Sequence, residues 1–480
     1  MTVDQMLDEA FVHHQAGRLP EAEHLYRDAI GADPDRWGAC LNLTKILMLT
    51  DRLGEAQRWL QWRLEDTPDD LTAHRQLGFS YLSEGKFAPA LVHFQRVIEH
   101  DPRDAGAHEI IAHLLQGAGQ QEASKRNFNL SAALRDPVQV GFALGRRPAF
   151  RALMLFAPGA GNTPYMYLLR VVTYDCHVLS VVAGIDYDID ALRASTDIVF
   201  NLIGDVDTSD RQLESAAALI TQLGKPVVNH PDRIALTGRQ SNAERLSAIP
   251  GCVMPATRHY TAAQMHDAVR EATRDPMSPQ FFGSGANVFE FPLLVRRAGT
   301  HGGEDFDKVA NPNALKVFVE QTQATHYYVT QFVDYRSDDG YFRKYRFMCI
   351  DGEILPYHLA IDDQWKVHHA TTDMVNQQWM QDEEIAYLDD PRAVFGEPQY
   401  AVLRAIRDTI GLDYWGIDCG LDREGRIVVF EANATMLVHT QFQKFPYKRT
   451  AVARIKRAFD AMLERRAALA RHMQGGTTHA

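Results

Sequence analysis

Apolar positions in the first quarter of the chain follow a pattern that repeats every 34 residues. Each period carries a small residue and, four positions later, a bulky one. The small residue lets two helices approach, the bulky residue fills the space between them, and a proline ends the second helix. The residues in phase are Ala22, Ala56 and Ala90, the bulky Tyr26, Leu60, Phe94 and Phe128, and Pro34, Pro68 and Pro102. The pattern predicts stacked helix-turn-helix units.

This unit resembles the tetratricopeptide repeat, whose helical pairs stack into a solenoid. We predict four repeats over residues 1–137, the fourth degraded because Ser124 replaces the alanine and the proline moves to Pro137. The resemblance implies a concave groove that binds a peptide or protein partner. A packing or dimerisation arm without a separate ligand is the alternative.

The hydrophobic pattern changes after residues 138–150, which we interpret as a linker. The runs RALMLFAP, CHVLSVV and DIVFNLI are strand-like, and a helix-like stretch at 211–223 follows them. Such alternation predicts a parallel α/β layer. A glycine-rich stretch at 157–164 follows the first of these strands. It is either a plain strand-to-helix turn or a substrate or phosphate loop.

A hairpin near the carboxyl end places acidic residues where a sheet prefers apolar ones. In GIDCGLDREGRIVVFEANAT, residues 416–435, the turn falls at 422–425. Asp418 then lies directly or diagonally across from Glu431, and side-chain alternation puts Asn433 on the same face. Facing carboxylates repel each other, and the apolar flanks would bury them without partners. The hairpin therefore predicts a cation between the two acids.

Composition narrows the class of protein. The chain has 480 residues, of which 45% are hydrophobic and 23% charged, typical of a soluble protein with several domains. A net charge of −12 argues against a general nucleic-acid binder, because phosphate-binding surfaces are usually basic. The five cysteines include no CxxC pair, which favours neither a zinc site nor a disulfide framework and suits a reducing cytoplasm. We expect a cytoplasmic protein without membrane or nucleic-acid contact.

Two further segments change the picture of the second part of the chain. They are KPVVNHPDRIALTGRQSNAERL and FEFPLLVRRAGTHGGEDFDKV. Together with the acidic hairpin, and in this order, they resemble the ATP-grasp superfamily and its carboxylate–amine ligases over residues 150–470. The resemblance implies a preliminary α/β domain at 151–232, a nucleotide-binding lobe at 233–330, a metal and catalytic lobe at 331–472, and a disordered tail at 473–480. The predicted fold class is multidomain: an all-α tetratricopeptide solenoid, an α/β preliminary domain and an α+β ATP-grasp domain.

The resemblance implies two cofactors, ATP and one or two Mg²⁺ ions, and assigns residues to them. Glycines in AGTHGGEDF would free backbone amides for phosphate, and two arginines stand where the family usually has lysines. A hinge segment would meet the adenine edge, and the aspartate after it the ribose. These nucleotide-binding residues are Gly299, Gly302, Gly303, Arg239, Arg296, Gln331, Phe332, Val333 and, for the ribose, Asp334.

The catalytic and metal residues come from two hairpins. Strand alternation puts Lys344 and Arg346 on one face, and Arg346 matches the arginine that meets the transferred phosphate in relatives. The position of His358 suggests a substrate role. The predicted metal ligands, from the family's D…E-x-N motif, are Asp418, Glu431 and Asn433.

The expected function is an ATP-dependent ligase that activates a carboxylate as an acyl phosphate for attack by an amine. A peptide or protein partner docked on the repeats would supply one substrate. The first alternative is a non-catalytic scaffold with a degenerate nucleotide-sensing lobe, which the two lysine-to-arginine departures favour. The second is a kinase that stops after phosphoryl transfer.

Overall fold

The structure, a computed structural model, describes ten segments of the chain. They are residues 1–33, 36–143, 147–158, 161–169, 172–274, 280–282, 288–300, 304–367, 372–439 and 444–475. The chain divides into two compact units, Met1–Asp136 and Pro137–Ala480. No helix in these segments combines the length and hydrophobicity needed to cross a membrane.

The first unit is an all-α repeat region, as predicted. Its described helices are α1 (Val3–Gln15), α2 (Leu19–Ala32), α3 (Trp37–Leu49), α4 (Leu53–Asp66), α5 (Leu71–Ser83), α6 (Phe87–His100), α7 (Ala105–Gly117) and α8 (Gln121–Ala133). Successive helices form four pairs in the phase of the 34-residue period. Of the prolines in that period, Pro34 lies outside the described residues.

The periodic small and bulky residues form the core of this unit. Ala22, Ala56 and Ala90 are fully buried, and so are Leu60 and Phe94. In the degraded fourth repeat, Ser124 replaces the alanine and is also buried, and its hydroxyl donates a hydrogen bond to the Ala112 carbonyl oxygen at 2.8 Å. The hydroxyl is satisfied, so the substitution keeps the helix spacing.

A histidine at the start of a repeat's first helix ties that helix to the preceding turn. His74 Nε2 donates to the Pro68 carbonyl oxygen at 2.8 Å, and His74 Nδ1 lies 2.9 Å from His93 Nδ1. His74 and Pro68 are only six residues apart, so the link is local and joins the first helix of one repeat to the turn that ends the repeat before it. The same arrangement recurs 34 residues later at His108, Pro102 and Asn127.

The second unit is a mixed α/β region that begins with a five-stranded sheet. The strands are β1 (Val138–Gly141), β2 (Arg151–Phe156), β3 (Asp175–Ser180), β4 (Ile198–Asn201) and β5 (Val227–Val228), in the order β1-β3-β2-β4-β5. The last four strands are parallel, and β1 pairs antiparallel with β3 at the edge. Residues 138–141, which the sequence placed in a linker, therefore belong to the sheet.

Helices α9 (Ile189–Ser195) and α10 (Val206–Leu223) connect these strands, which confirms the predicted α/β layer. The glycine-rich stretch at 157–164 behaves as a turn in its described part. The Asn162 side chain binds both the N–H and the carbonyl of Ala157, at 2.8 and 2.7 Å. The Gly161 carbonyl accepts hydrogen bonds from the N–H groups of Gly204 and Asp205. Its polar groups therefore support the loop that precedes α10.

Two antiparallel sheets follow. The smaller has the order β11-β10-β12-β7, and the larger has the order β14-β13-β15-β16-β6, in which β6 is parallel to β16. Their strands, and a separate β8–β9 hairpin, are β6 (Cys252–Val253), β7 (Thr257–Thr261), β8 (Gln280–Phe282), β9 (Val288–Glu290), β10 (Leu293–Arg297), β11 (Phe306–Val309), β12 (His326–Gln331), β13 (Phe342–Ile350), β14 (Glu353–Asp362), β15 (Tyr414–Leu421) and β16 (Ile427–Asn433).

The remaining helices cover these sheets. They are α11 (Pro231–Ile234), α12 (Arg239–Leu246), α13 (Ala262–Ala272), α14 (Pro312–Thr322), α15 (Gln378–Asp389), α16 (Pro391–Ile410) and α17 (Arg449–Gly475). The apolar stripe of α17, which includes Ile455, Phe459 and Met462, is buried in one core with Phe200 of β4 and Tyr414 of β15. The terminal helix thus joins the parallel sheet to the large antiparallel sheet.

Candidate functional site

A cleft of about 1520 Å³, including its open mouth, lies in the second unit. Both antiparallel sheets, the amino end of α12 and the loop before α10 line it. Small molecules commonly bind in concave sites of this kind, which combine apolar walls with a few polar groups. Nine of the predicted site residues line it: Arg239, Arg296, Gln331, Phe332, Val333, Lys344, Asp418, Glu431 and Asn433.

The acidic hairpin has the predicted geometry. Asp418 of β15 pairs directly with Glu431 of β16, and Asn433 lies two residues further along the same strand. The loop between Leu421 and Ile427 holds five residues, one more than the predicted turn. A β-bulge between Asp418 and Cys419 shifts the register by one further residue, and this shift places Glu431 directly opposite Asp418.

The cations that face Asp418 are side chains. Arg346, which lies opposite Asp418 on β13, donates from Nε to Oδ1 at 2.6 Å and from Nη2 to Oδ2 at 2.8 Å. Lys344 Nζ lies 3.5 Å from Oδ2. Burial would raise the pKa of Asp418, but Arg346 and then Lys344 outweigh it and hold the pKa far below its ordinary value. Asp418 is therefore ionised and paired inside the cleft wall.

A second pair of cations lies beside Glu431. Arg239 Nη2 donates to Glu431 Oε1 at 2.7 Å. Burial alone would raise the pKa of Glu431, but Arg239 and then Arg296 hold it below its ordinary value. Among the described residues, no carboxylate lies within ion-pair distance of Arg296, whose guanidinium stacks 4.5 Å from the Phe306 ring centroid. Burial and then the charge of Arg239 lower the pKa of Arg296 to about 10. The described part of the cleft thus contains a half-buried cation with no carboxylate within ion-pair distance.

The sequence analysis missed one acidic residue that lines the cleft. Asp207, in the first turn of α10, accepts a hydrogen bond from the Tyr328 hydroxyl at 2.6 Å. Burial and then Asp207 raise the pKa of this hydroxyl. The sequence signal that could have identified Asp207 was a helix that begins just after β4. Ligands commonly bind at the carboxyl ends of parallel strands, where such a helix starts. The bond ties the small sheet to α10.

The hinge segment lines the cleft with part of its backbone unpaired. Gln331 is engaged: its side-chain amide binds the N–H and carbonyl of Glu290 at 2.9 and 2.8 Å, and its own N–H donates to Ala256. Within the described segments, the N–H groups of Phe332 and Val333 donate no hydrogen bond. These two donors are available to a ligand.

Some predicted residues are not brought into the cleft. Asp334 pairs with Arg336 instead, at 2.5 Å, and Gly299, with φ of +75°, lies against Thr208. Arg346 reaches the cleft only through Asp418. The described lining omits Gly299, Asp334, Arg346 and His358, and Gly302 and Gly303 lie outside the described residues.

His358 belongs to a separate buried cluster. It lies opposite Arg346 on β14, and its Nδ1 is 2.6 Å from Oε1 of the fully buried Glu384. Lys448 Nζ lies 2.8 Å from the same oxygen, and the Tyr447 hydroxyl donates to Oε2 at 2.6 Å. Burial and then Lys448 lower the pKa of His358 to about 4. The cluster holds β14 at the edge of the larger antiparallel sheet. The substrate role of His358 stays a prediction.

The predicted metal ligands fit magnesium in kind. Two carboxylates and an amide oxygen are hard ligands that Mg²⁺ accepts together with phosphate oxygens. Some of these atoms are already engaged: Asp418 binds Arg346 through both oxygens, and Asn433 Oδ1 accepts from the N–H and hydroxyl of Thr435. Glu431 Oε2 accepts no hydrogen bond from the described residues. In the described segments, no group of three or more His, Cys, Asp or Glu residues could hold a metal ion.

Comparison with known proteins concerns the first unit. A family model described as "Tetratricopeptide repeat" matches residues 13–77. A crystal structure of MamA is 19% identical over 27% of this chain and 76% of its own, with a TM-score of 0.26. MamA from Desulfovibrio magneticus RS-1 is 14% identical over 28% and 75%, with a TM-score of 0.26. A tetratricopeptide repeat protein from Parabacteroides merdae ATCC 43184 is 17% identical over 27% and 51%, with the same TM-score of 0.26.

No curated protein matches the chain. The period, the eight described helices and the family match agree, so helices α1 to α8 are tetratricopeptide repeats, as predicted. Such repeats commonly bind protein partners.

Proposed function

We propose that the second unit is an ATP-dependent carboxylate–amine ligase of the ATP-grasp type. The observation that carries the proposal is Arg296, a half-buried guanidinium that has no anionic partner among the described residues, beside Arg239 in a cleft between two antiparallel sheets. A cation desolvated in this way is stabilised by an anionic ligand. The phosphates of ATP supply such an anion, and the unpaired N–H groups of Phe332 and Val333 supply donors for the base.

The proposed reaction has two steps. An oxygen of the substrate carboxylate attacks the γ-phosphorus, the bond to the bridging oxygen breaks, and ADP leaves. The amine nitrogen then attacks the acyl carbon, the bond to the phosphate oxygen breaks, phosphate leaves, and the nitrogen loses its proton to water. Catalysis by this chain is positioning and charge neutralisation, in which Arg239, Arg296 and Lys344 offset the phosphate charge.

Magnesium would be held by Asp418, Glu431 and Asn433, the oxygen-bearing residues of the hairpin. When bound, it neutralises phosphate charge and acts as a Lewis acid. In this division of roles Arg346 positions Asp418 through its two hydrogen bonds, and Lys344, which lines the cleft, is the closer candidate for contact with the transferred group.

We also propose that the repeats hold a peptide or protein that carries one of the two substrates. Tethering a substrate on the same chain raises its effective concentration at a second site. The repeat region and the ligase unit would then act on one partner.

A nucleotide-sensing scaffold is the second candidate, and one observation favours it. Arg346 occupies both oxygens of Asp418, Arg239 occupies Glu431 Oε1, and Thr435 occupies Asn433 Oδ1. All three proposed metal ligands therefore already have protein partners. A site held in this way could bind nucleotide without turnover.

The test is ADP release by the purified full chain with Mg-ATP and pooled amino acids and peptides. We expect release that requires both a carboxylate and an amine, and a loss of at least about 100-fold in Glu431→Gln. Glu424→Gln is the matched control, because Glu424 lies on the turn of the same hairpin with 67% of its side chain exposed.

Equal release by wild type and Glu431→Gln would contradict the ligase. Nucleotide binding in calorimetry without turnover would favour the scaffold. A phosphorylated product that accumulates without an amine would indicate a kinase.

A further inference from the structure

Three aromatic rings form one wall of the cleft. Phe306 lies on β11, Phe332 on the hinge after β12, and Trp365 in the loop after β14, and all three line the cleft. The Trp365 ring meets Phe306 with centroids 5.5 Å apart and Phe332 with centroids 6.2 Å apart, both edge to face. None of the sequence motifs includes Trp365. The wall joins residues of both antiparallel sheets.

Two lysines hold this aromatic wall in place. Lys308 Nζ lies 4.4 Å from the centroid of Phe332 and 5.6 Å from that of Trp365. Lys366, next to Trp365, donates a hydrogen bond to the Phe306 carbonyl oxygen at 2.8 Å. These contacts fix the loop after β14 on strand β11, which keeps the indole in the cleft lining although Gln364 and Lys366 on either side are exposed.

The wall stands beside backbone groups that lack partners. The N–H groups of Phe332 and Val333 are unpaired within the described residues, and both residues line the cleft with Trp365. A flat ring with hydrogen-bond acceptors on its edge satisfies these donors while its face contacts an aromatic side chain. Arg239 and Arg296, the proposed phosphate-binding cations, line the same cleft and would pair with the phosphates of such a ligand.

We infer that Trp365 is a nucleobase-stacking residue: the base of the bound nucleotide lies against its indole ring. The inference rests on the proposed function, because it assumes that a nucleotide occupies the cleft. Base-to-aromatic stacking strengthens binding by roughly 5- to 150-fold per base. The contrasting role for Trp365 is structural, in which it only docks the loop on β11.

The test compares a ligand that has a base with one that has none. A non-hydrolysable ATP analogue and inorganic tripolyphosphate are titrated by calorimetry into the full chain with magnesium. We expect Trp365→Ala to weaken binding of the analogue by about 5- to 150-fold and to leave tripolyphosphate binding within about 2-fold. Trp379→Ala, at a tryptophan that packs on Tyr341 and does not line the cleft, should change neither affinity.

Fluorescence gives a second readout if Trp365→Ala fails to fold. The analogue should quench tryptophan emission in wild type and in Trp379→Phe, and the quench should vanish in Trp365→Phe while binding persists. An unchanged quench, or equal weakening of the analogue and tripolyphosphate, would overturn the stacking role. A wild-type chain that binds neither ligand would instead overturn the proposed function.

Discussion

The repeat unit and the α/β unit hold their buried polar groups in opposite ways. In the repeat unit the partners lie within one repeat length of each other: His74 and Pro68 are six residues apart, and the buried pair Thr44 and Gln76 is 32 residues apart. In the α/β unit Arg346 and Asp418 are 72 residues apart, and Arg239 and Glu431 are 192 apart. The first arrangement forms repeat by repeat, whereas the second exists only when several elements of the unit have assembled.

This difference determines what a lost contact costs. A repeat interacts mainly with its neighbours, so a local change remains local. In the cleft wall, Arg346, Lys344 and Asp418 share one buried set of charges, and removal of one partner leaves the others uncompensated.

The largest expected effect comes from removing a long-range ion pair of the α/β unit. Asp418→Asn leaves Arg346 and Lys344 without their carboxylate, and we expect it to destabilise the α/β unit by about 3–5 kcal/mol. Hydrogen exchange of the full chain in urea, followed on β13 and β15 peptides, measures the loss. Exchange in α5 and α6 should not change.

The control for this substitution is Asp338→Asn. Asp338 is 96% exposed and lies 3.6 Å from Arg423, an arrangement worth at most about 1 kcal/mol. A loss below about 1 kcal/mol in Asp418→Asn would show that burial of this ion pair does not couple the strands.

The comparison also explains what the sequence could predict. The 34-residue period predicted the helical repeats, because every repeat places residues of the same size at the same core positions. Strand alternation predicted the pairing of Asp418 with Glu431, since only a short loop separates their strands. Local patterns of this kind carry their own geometry.

Long-range partners were not predictable in the same way. The sequence assigned Arg346 to the transferred phosphate, but the register between β13 and β15 pairs it with Asp418. Tyr328 and Asp207 are 121 residues apart, and Trp365 lies in a loop without a periodic pattern. Register and loop placement depend on the assembled sheets, so no local pattern predicted these contacts, although the start of a helix just after β4 was a signal for Asp207.

The second prediction concerns the local histidine contacts of the repeat unit and how stability there depends on pH. His74 Nε2 donates to the Pro68 carbonyl oxygen, so His74 Nδ1 accepts the hydrogen bond that His93 Nδ1 donates, and protonation of His93 would put a charge into this pair. Burial and then His74 lower the pKa of His93 to about 4, against about 6.5 for an ordinary histidine. A lowered histidine pKa gives stability that is present above pH 6.5 and is lost as the pH falls towards 4.

His93→Asn should flatten this dependence, because Asn127 occupies the same place one repeat later. We expect hydrogen exchange in α5 and α6 to accelerate between pH 7 and 4.5 in wild type, after correction for intrinsic rates, and to change less in the variant. His24→Asn, at a side chain that is 77% exposed, is the control and should keep the wild-type profile. Equal acid sensitivity in His93→Asn and wild type would assign the loss to other groups.

The smallest expected effects, at two helical glycines, have opposite signs. A Cβ at Gly78 of α5 would lie 2.6 Å from the fully buried Phe94 ring, whereas a Cβ at Gly54 of α4 meets no atom within 4 Å. Gly78→Ala should therefore cost about 1–3 kcal/mol despite better helix propensity, and Gly54→Ala should gain up to about 1 kcal/mol. Thermal unfolding of the full chain, with exchange assigned to each helix, measures both. If both variants are stabilised, the Phe94 ring can shift to admit a methyl group at position 78. The contact between α5 and α6 would then be looser than the complete burial of Phe94 indicates.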